Sequence, residues 1–225
     1  MNMNEFTAEH AKKCQQVDMI DKDLYLKYGV KRGLRDLNGQ GVLTGLTNIS
    51  NVVAFKQEDG QRVPCDGQLW YRGYNVEDLI RGSGDSLFGF EETAYLLLFG
   101  ELPSETEMKN FKEVLALSRD LPTNFVRDVI MKAPSADIMN SMTKSVLTLA
   151  SYDKDATVLD LDNVLRQCMM LISVFSMLAV YAYHAYNHYD KDESMYIHRP
   201  DPSLSTAENF LRMLRPDNEF NNLEA

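Results

Sequence analysis

The chain has 225 residues, a length that fits one large domain. Its 33 acidic side chains outnumber the 23 basic ones, giving a net charge of −10. This balance argues against a nucleic-acid-binding protein, which needs clustered Lys and Arg. Hydrophobic residues make up 44% of the sequence, enough for a sizeable core. The first residues, MNMNEFTAEHAKKCQQVD, lack the apolar run of a signal peptide and contain acids that transit peptides avoid, so we expect a cytoplasmic location.

The cysteines indicate neither a disulfide framework nor a metal site. Cys14, Cys65 and Cys168 are odd in number, far apart and without a Cys-x-x-Cys pair. We therefore expect three unpaired thiols, with Cys168 buried in the core.

The first third of the sequence predicts one polar helix, a loop and a small β-element. The polar helix extends to about Tyr28, and the glycine-rich stretch from Gly29 to Asn48 has no periodicity. A small peripheral β-element is predicted near residues 48–71, with strands at 48–55 and 68–71 and an Asp-Gly hairpin signal in EDGQ. Pro64 keeps this element peripheral, because proline cannot donate a hydrogen bond in a central strand.

From Phe88 onward the sequence is helical, so the predicted fold class is mainly α. A helix is expected between Gly89 and Gly100, with Ala94, Leu97 and Leu98 on its inner face. The next helices are predicted to begin at Ser104, at Thr123, near 137, near 161 and at Ser205. Ser104 with Glu107, and Ser205 with Glu208, have the spacing of a capping box. In the helix near 137–151, Ile138, Met142, Val146 and Leu149 are predicted to point inward.

One of these helices contains an apolar stretch that could be mistaken for a membrane span. Residues 167–189 contain no Asp, Glu, Lys or Arg, and about 20 apolar residues suffice to cross a bilayer. Ser173, His184 and Asn187 interrupt the stretch, however, and acids flank it on both sides. The sequence favours the buried central helix of a helical domain, with no membrane partner.

The sequence contains no self-contained catalytic or metal-binding constellation. His184 and His188 are four residues apart, which is ligand spacing, but no third ligand accompanies them. The stretch DKDATVLDLDN resembles a calcium loop but lacks the required glycine and the final glutamate. The remaining notable acids fall in the first turns of helices, where they oppose the helix dipole: Glu77, Asp78, Glu91, Glu92, Glu105 and Glu107. We therefore assign no catalytic residue, no metal ligand and no cofactor-binding residue.

Three phrases lie in order along the chain: WYRGYNVEDLI, FEETAYLLLFGELPSETEMKNF and PSLSTAENFLRML. Together they resemble citrate synthase of the bacterial type, and the similarity runs from about Tyr28 to the C-terminus. We divide the chain into a helical or flexible N-terminal segment, 1–28, and residues 29–225, which the resemblance assigns to the N-terminal part of the family's large domain, incomplete and without the small domain. The resemblance implies that the Arg72-Gly73-Tyr74 turn is scaffold, with Arg72 bonding locally. It also implies that the active-site His, His and Asp of the family lie further on, outside this sequence.

The resemblance sets the functional expectations. The family condenses acetyl-CoA with oxaloacetate, holds no permanent cofactor, and forms a homodimer through the helix near 137–151. This chain is expected to be the N-terminal portion of such an enzyme and to be inactive alone. The alternatives are a methylcitrate synthase fragment, a non-catalytic helical interaction module, or one half of a split enzyme. Two departures from the family pattern are SADIMNSM, without the usual His-Pro-Met, and Val174-Phe175-Ser176, where the family has Lys-x-Pro.

Overall fold

The computed structural model describes residues 20–223, except for 22, 32, 37, 43, 44, 85 and 222. The chain divides into two units, Met1–Thr47 and Asn48–Ala225. Cys14 and most of the predicted first helix lie outside the described residues, so a boundary between residues 28 and 29 stays a prediction.

In the first unit, the described residues form one short helix and a loop. Helix α1 spans Asp23–Lys27. Between residues 28 and 47 the described chain contains a single isolated bridge, which pairs Arg35 with Gly41. The described part of the glycine-rich stretch is thus irregular, as its lack of periodicity predicts.

The second unit begins with a small antiparallel sheet. Strands β1 (Ser50–Glu58), β2 (Gln61–Tyr71) and β3 (Tyr74–Asn75) lie in this order. Asp59 and Gly60 have φ values of 51° and 77°, the left-handed pair that a two-residue hairpin turn requires. Pro64 faces Phe55 beside a register shift, in the part of the hairpin where β3 does not reach β2. The hairpin prediction is confirmed, and it extends further on both sides of the turn than the sequence indicated.

Six longer helices follow, which confirms the mainly α fold class. They are α2 (Val76–Ser83), α3 (Gly89–Phe99), α4 (Glu105–Leu117), α5 (Ile138–Leu149), α6 (Leu161–Lys191) and α7 (Thr206–Leu214). Both predicted capping boxes are present, since Ser104 with Glu107 and Ser205 with Glu208 exchange side-chain and backbone hydrogen bonds. Gly100 ends α3 in the left-handed conformation, with φ 90°.

The helix predicted to begin at Thr123 is instead a single π-helical turn, Val126–Ile130. Asn124 adopts a left-handed φ of 63°, which cannot belong to a right-handed helix. The turn begins after Phe125 without a side-chain cap, so the predicted capping role of Thr123 is wrong.

The core is built around α6, which packs against α4, α5, α7 and the π-helical turn. On α3, the predicted inner residues Ala94 and Leu98 pack against the core. Leu96, which was not predicted to be inward, is 0% exposed, whereas the predicted Leu97 is only half-buried. On α5, Leu149 is buried and Ile138 and Val146 pack against the core, as predicted, and the other fully buried positions are Ser141 and Ser145. By length and composition α6 could cross a membrane, a test that the core helices of soluble proteins also meet. Its contacts on several sides favour the buried-helix interpretation.

Candidate functional site

The histidines on α6 make structural hydrogen bonds rather than a metal site. His184 is buried, and its Nε2 donates to the carbonyl oxygen of Met213 at 3.0 Å. His188 Nδ1 lies 2.7 Å from the carbonyl oxygen of Glu193 just beyond the helix. Among the described residues, no group of three His, Cys, Asp or Glu side chains could hold a metal ion. Each imidazole thus connects α6 to a neighbouring segment by one hydrogen bond.

The two described cysteines are free thiols, and both are half-buried. Cys168 was expected in the core. Instead it lines a groove between helices, because the adjacent face of α6 lacks full cover.

The aspartate-rich stretch before α6 is organised by hydrogen bonds from side chains. Arg166 Nη2 donates to Asp153 at 2.7 Å, and Gln167 donates to the same carboxylate at 3.1 Å. The hydrogen bond from Arg166, followed by that from Gln167, lowers the pKa of Asp153. Asn163 Nδ2 donates to the carbonyls of Asp155 and Val158. These hydrogen bonds hold the stretch as an ordered turn before α6.

Arg72 ties the β-element to α3. Its Nε and Nη2 donate to the Leu97 carbonyl at 3.3 and 2.9 Å, and Nη1 donates to Asn48 Oδ1 at 3.1 Å. The expected local bonding is therefore wrong, because these partners lie 24 and 25 residues away. The structural role is supported, since a cation near a helix C-terminus bonds its free carbonyls and opposes its dipole.

Glu91 has a role that the sequence did not indicate. It is 1% exposed and caps a different helix from its own. Its Oε1 accepts hydrogen bonds from the backbone N and the Oγ1 of Thr206, both at 2.7 Å. Glu91 lies in the first turn of α3, as predicted, and in addition holds the N-terminus of α7.

Arg119 completes this buried cluster. Its Nη1 donates to the Leu204 carbonyl at 2.7 Å, and its Nη2 lies 3.0 Å from Thr206 Oγ1 and 3.4 Å from Glu91 Oε1. Burial lowers the pKa of Arg119, and the charge of Glu91 opposes that shift. Glu91 Oε2 and Arg119 Nε have no hydrogen-bond partner. Because these partners are 28 to 115 residues apart, no local pattern could have revealed the cluster.

Tyr181 fastens the segment between α6 and α7 in a similar way. Its hydroxyl donates to the His198 carbonyl at 2.7 Å. Burial raises its pKa to about 12, with Arg199 opposing the shift. The phenol is therefore neutral at ordinary pH and acts as a hydrogen-bond donor rather than a base.

Two surfaces of the helical unit remain apolar and uncovered. An apolar groove of about 740 Å³ lies between α3, α6 and α7, lined by Phe90, Leu98, Cys168, Leu171, Ile172, Phe175, Ser176, Thr206, Ala207, Phe210 and Leu211. On the outer face of α5, Met139 and Leu147 are 70% and 69% exposed. Uncovered apolar surfaces of this kind mark places where other polypeptide packs.

A hairpin followed by helices packed on one long apolar helix is an architecture with known counterparts. The citrate synthase of Thermoplasma acidophilum, solved in ternary complex with carboxymethyl coenzyme A and oxaloacetate, matches with a TM-score of 0.62 and 25% identity. The match covers 77% of this chain and 40% of that protein. The fold is therefore that of a portion of a citrate synthase.

Sequence comparison gives the same result. The family model described as "Citrate synthase, C-terminal domain" matches residues 36–225, so the chain belongs to the citrate synthase family. Citrate synthase of Haloferax volcanii is 32% identical over 82% of this chain and 43% of its own length. The 2-methylcitrate synthase 1 of Corynebacterium glutamicum is 26% identical over 82% of this chain and 42% of its own length. The chain thus spans about two fifths of these relatives. Its assignment to their N-terminal part stays a prediction, because the family model carries a C-terminal description.

Proposed function

We propose that this chain supplies a helical scaffold portion of an enzyme that condenses acetyl-CoA with oxaloacetate to citrate and CoA, in the tricarboxylic acid cycle. The observation that carries the proposal is the match of 190 consecutive positions, 36–225, to the citrate synthase family model. We further propose a cytoplasmic location and no permanent cofactor, since the family's acyl-CoA is a substrate.

The chemistry of the reaction defines what this chain does not contribute. Forming the enol of a thioester needs a base beside the methyl group and a hydrogen-bond donor beside the carbonyl oxygen. The described histidines of α6 are committed to backbone carbonyls, and Glu91 is committed to Thr206. We assign the catalytic groups to polypeptide beyond this chain. The cluster of Glu91, Arg119 and Thr206 fixes the direction of α7, the last helix of the scaffold.

The activity is tested by following thiol release from acetyl-CoA in the presence of oxaloacetate. We expect no turnover by the purified 225-residue chain. Turnover that is abolished by His184→Gln or His188→Gln would contradict the scaffold assignment. Addition of the part of a related citrate synthase that this chain does not match is expected to restore turnover. The ratio of turnover with acetyl-CoA to turnover with propionyl-CoA then separates a citrate synthase from a methylcitrate synthase.

We also propose that the chain forms a homodimer through the outer face of α5. Met139, Thr143 and Leu147 lie at i, i+4 and i+8, so they share one face of the helix. Of these, Met139 and Leu147 are large, apolar and mostly exposed, which is costly in water at about 25 cal/mol per Å². A two-fold axis would bury the same face on both copies.

Light scattering at micromolar concentration tests the dimer. We expect the wild-type chain to be dimeric and Leu147→Glu to be monomeric, because a carboxylate is not accommodated in an apolar interface. Leu117→Glu is the matched control, since Leu117 is 84% exposed on α4, away from α5. A monomeric wild-type chain, or equal behaviour of the two variants, would refute this interface.

A further inference from the structure

A cavity of about 480 Å³ lies where the start of α3, the second half of α4 and the turn before α7 meet. Its charged lining is Glu91, Lys109, Lys112, Glu113 and Arg119, with Phe88 beside them. We call it the cationic cavity. Its size is within the range of pockets that hold small molecules.

The cavity has the opposite charge to the rest of the chain. Three basic and two acidic side chains give its lining a net charge of +1, whereas the whole chain carries −10. The charge of Glu91 is already opposed by Arg119 and by the two donors of Thr206. In the described part of the chain, neither Lys109 nor Lys112 forms an ion pair with a carboxylate. The lining also contains the Glu113 carboxylate and the unpartnered Oε2 of Glu91, and the two ammonium groups together with Arg119 outweigh these carboxylates by one positive charge.

The start of α3 borders the same cavity through Phe88 and Glu91. Phe88 occupies the N-cap position and gives no side-chain cap. The first backbone N–H groups of a helix have no partner within it, and they carry the positive end of the helix dipole. The Lys112 ammonium lies 3.6 Å from the centre of the Phe88 ring, which holds the cation beside this helix start.

Arg119 provides an independent indication of a ligand. The residue is only 8% exposed and lines the cavity, yet its Nε has no hydrogen-bond partner. A buried donor without an acceptor is destabilising. An acceptor that enters the cavity would satisfy it, and guanidinium groups favour carboxylate and phosphate oxygens.

We propose that the cationic cavity binds a compact oxyanion with at least two negative charges, either a diphosphate or a dicarboxylate. Lys109 and Lys112 supply the opposing charge, and the free amides of α3 and Arg119 Nε supply the hydrogen bonds. The ligand contacts α3, α4 and the turn at 202–204 together, so it stabilises the docking of α7. The inference concerns binding alone and holds whether or not the proposed condensation takes place.

Isothermal titration calorimetry of the 225-residue chain at low ionic strength tests the proposal, with pyrophosphate and malonate as probes. We expect one binding site, weakened at least about tenfold in the double variant Lys109→Gln/Lys112→Gln, because charge attraction dominates. Lys154→Gln is the control, since it removes one positive charge in the turn before α6, outside the cavity lining. Tight binding of only one probe identifies the ligand as phosphate-bearing or carboxylate-bearing.

A second double variant, Lys109→Arg/Lys112→Arg, separates loss of charge from loss of fold. It retains both positive charges, so the charge attraction persists and binding is expected to stay within about threefold of wild type. Absence of binding by the wild-type chain would overturn the proposal. Equal weakening in the Lys154→Gln control would do so as well, because it would show general charge screening rather than a site.

Discussion

The β-hairpin and the cluster around Glu91 are both held by hydrogen bonds, but the ranges of these bonds along the chain differ. In the hairpin, β1 pairs with β2 across a turn of two residues, and most side chains of both strands are exposed. In the cluster, Glu91, Arg119 and Thr206 are buried and come from three separate segments. The comparison teaches that local signals are sufficient for an exposed element, whereas a buried polar cluster depends on how distant helices pack.

The largest expected effect is at the cluster. Glu91→Gln removes the charge that opposes Arg119 and leaves that guanidinium buried without a counter-ion. We expect the free energy of unfolding to fall by about 3–5 kcal/mol, measured by urea denaturation. Glu92→Gln is the control, since Glu92 is half-buried on the same helix and accepts one hydrogen bond from Ser83. If the two variants lose equal stability, the cluster contributes no more to stability than a half-buried position on the same helix.

The next effect distinguishes the observed core of α3 from the predicted one. Leu96→Ala should cost about 2–5 kcal/mol, because Leu96 is fully buried and the surrounding side chains cannot close the cavity completely. Leu97→Ala removes the same atoms from a half-buried position and should cost less. Thermal or urea unfolding of the two variants measures both losses of stability. A larger loss for Leu97→Ala than for Leu96→Ala would support the inner face that was predicted from sequence.

A smaller and more local effect is expected in the hairpin. Gly60→Ala places a side chain at φ 77°, which costs about 1–2 kcal/mol. The control is Gly67→Ala, where φ is not left-handed and a Cβ meets nothing within 4 Å. We expect faster amide hydrogen exchange across β1 and β2 in Gly60→Ala, with exchange in α6 unchanged. Faster exchange in α6 would show that the hairpin and the helical core unfold together.

The smallest effect concerns the turn before α6. The pKa of Asp153 is lower in the folded chain than its ordinary value of 3.8, chiefly through the hydrogen bond from Arg166. Its contribution to stability is therefore complete above about pH 3.8 and is lost as the pH falls through the lower folded value. Arg166→Gln should be slightly less stable than wild type at pH 7, and the difference should shrink at low pH, where only the hydrogen bonds of Arg166 to Asn163 remain. A difference of the same size in acid and at pH 7 would contradict the role of Asp153.

Local chemistry made several elements predictable. The Asp-Gly pair specified the hairpin turn, the spacing of Ser104 with Glu107 and of Ser205 with Glu208 specified two helix starts, and Gly100 specified a helix end. Each signal acts within a few residues, so the sequence contains all of it. The helix start predicted at Thr123 was wrong because Asn124 adopts a left-handed conformation that the surrounding sequence does not require.

The sequence by itself determined that this chain is mainly α, where most of its helices begin, and that it resembles the citrate synthase family. Periodicity, capping and turn chemistry are properties of neighbouring residues, and a family resemblance needs only phrases in register. Tertiary structure alone decided which of the similar leucines on α3 is buried, and that Glu91 caps α7. It also decided that Arg72 bonds to α3 and that Lys109 and Lys112 border a cavity with Arg119. The physical reason is that burial and long-range hydrogen bonds depend on which surfaces meet, and no residue carries that information alone.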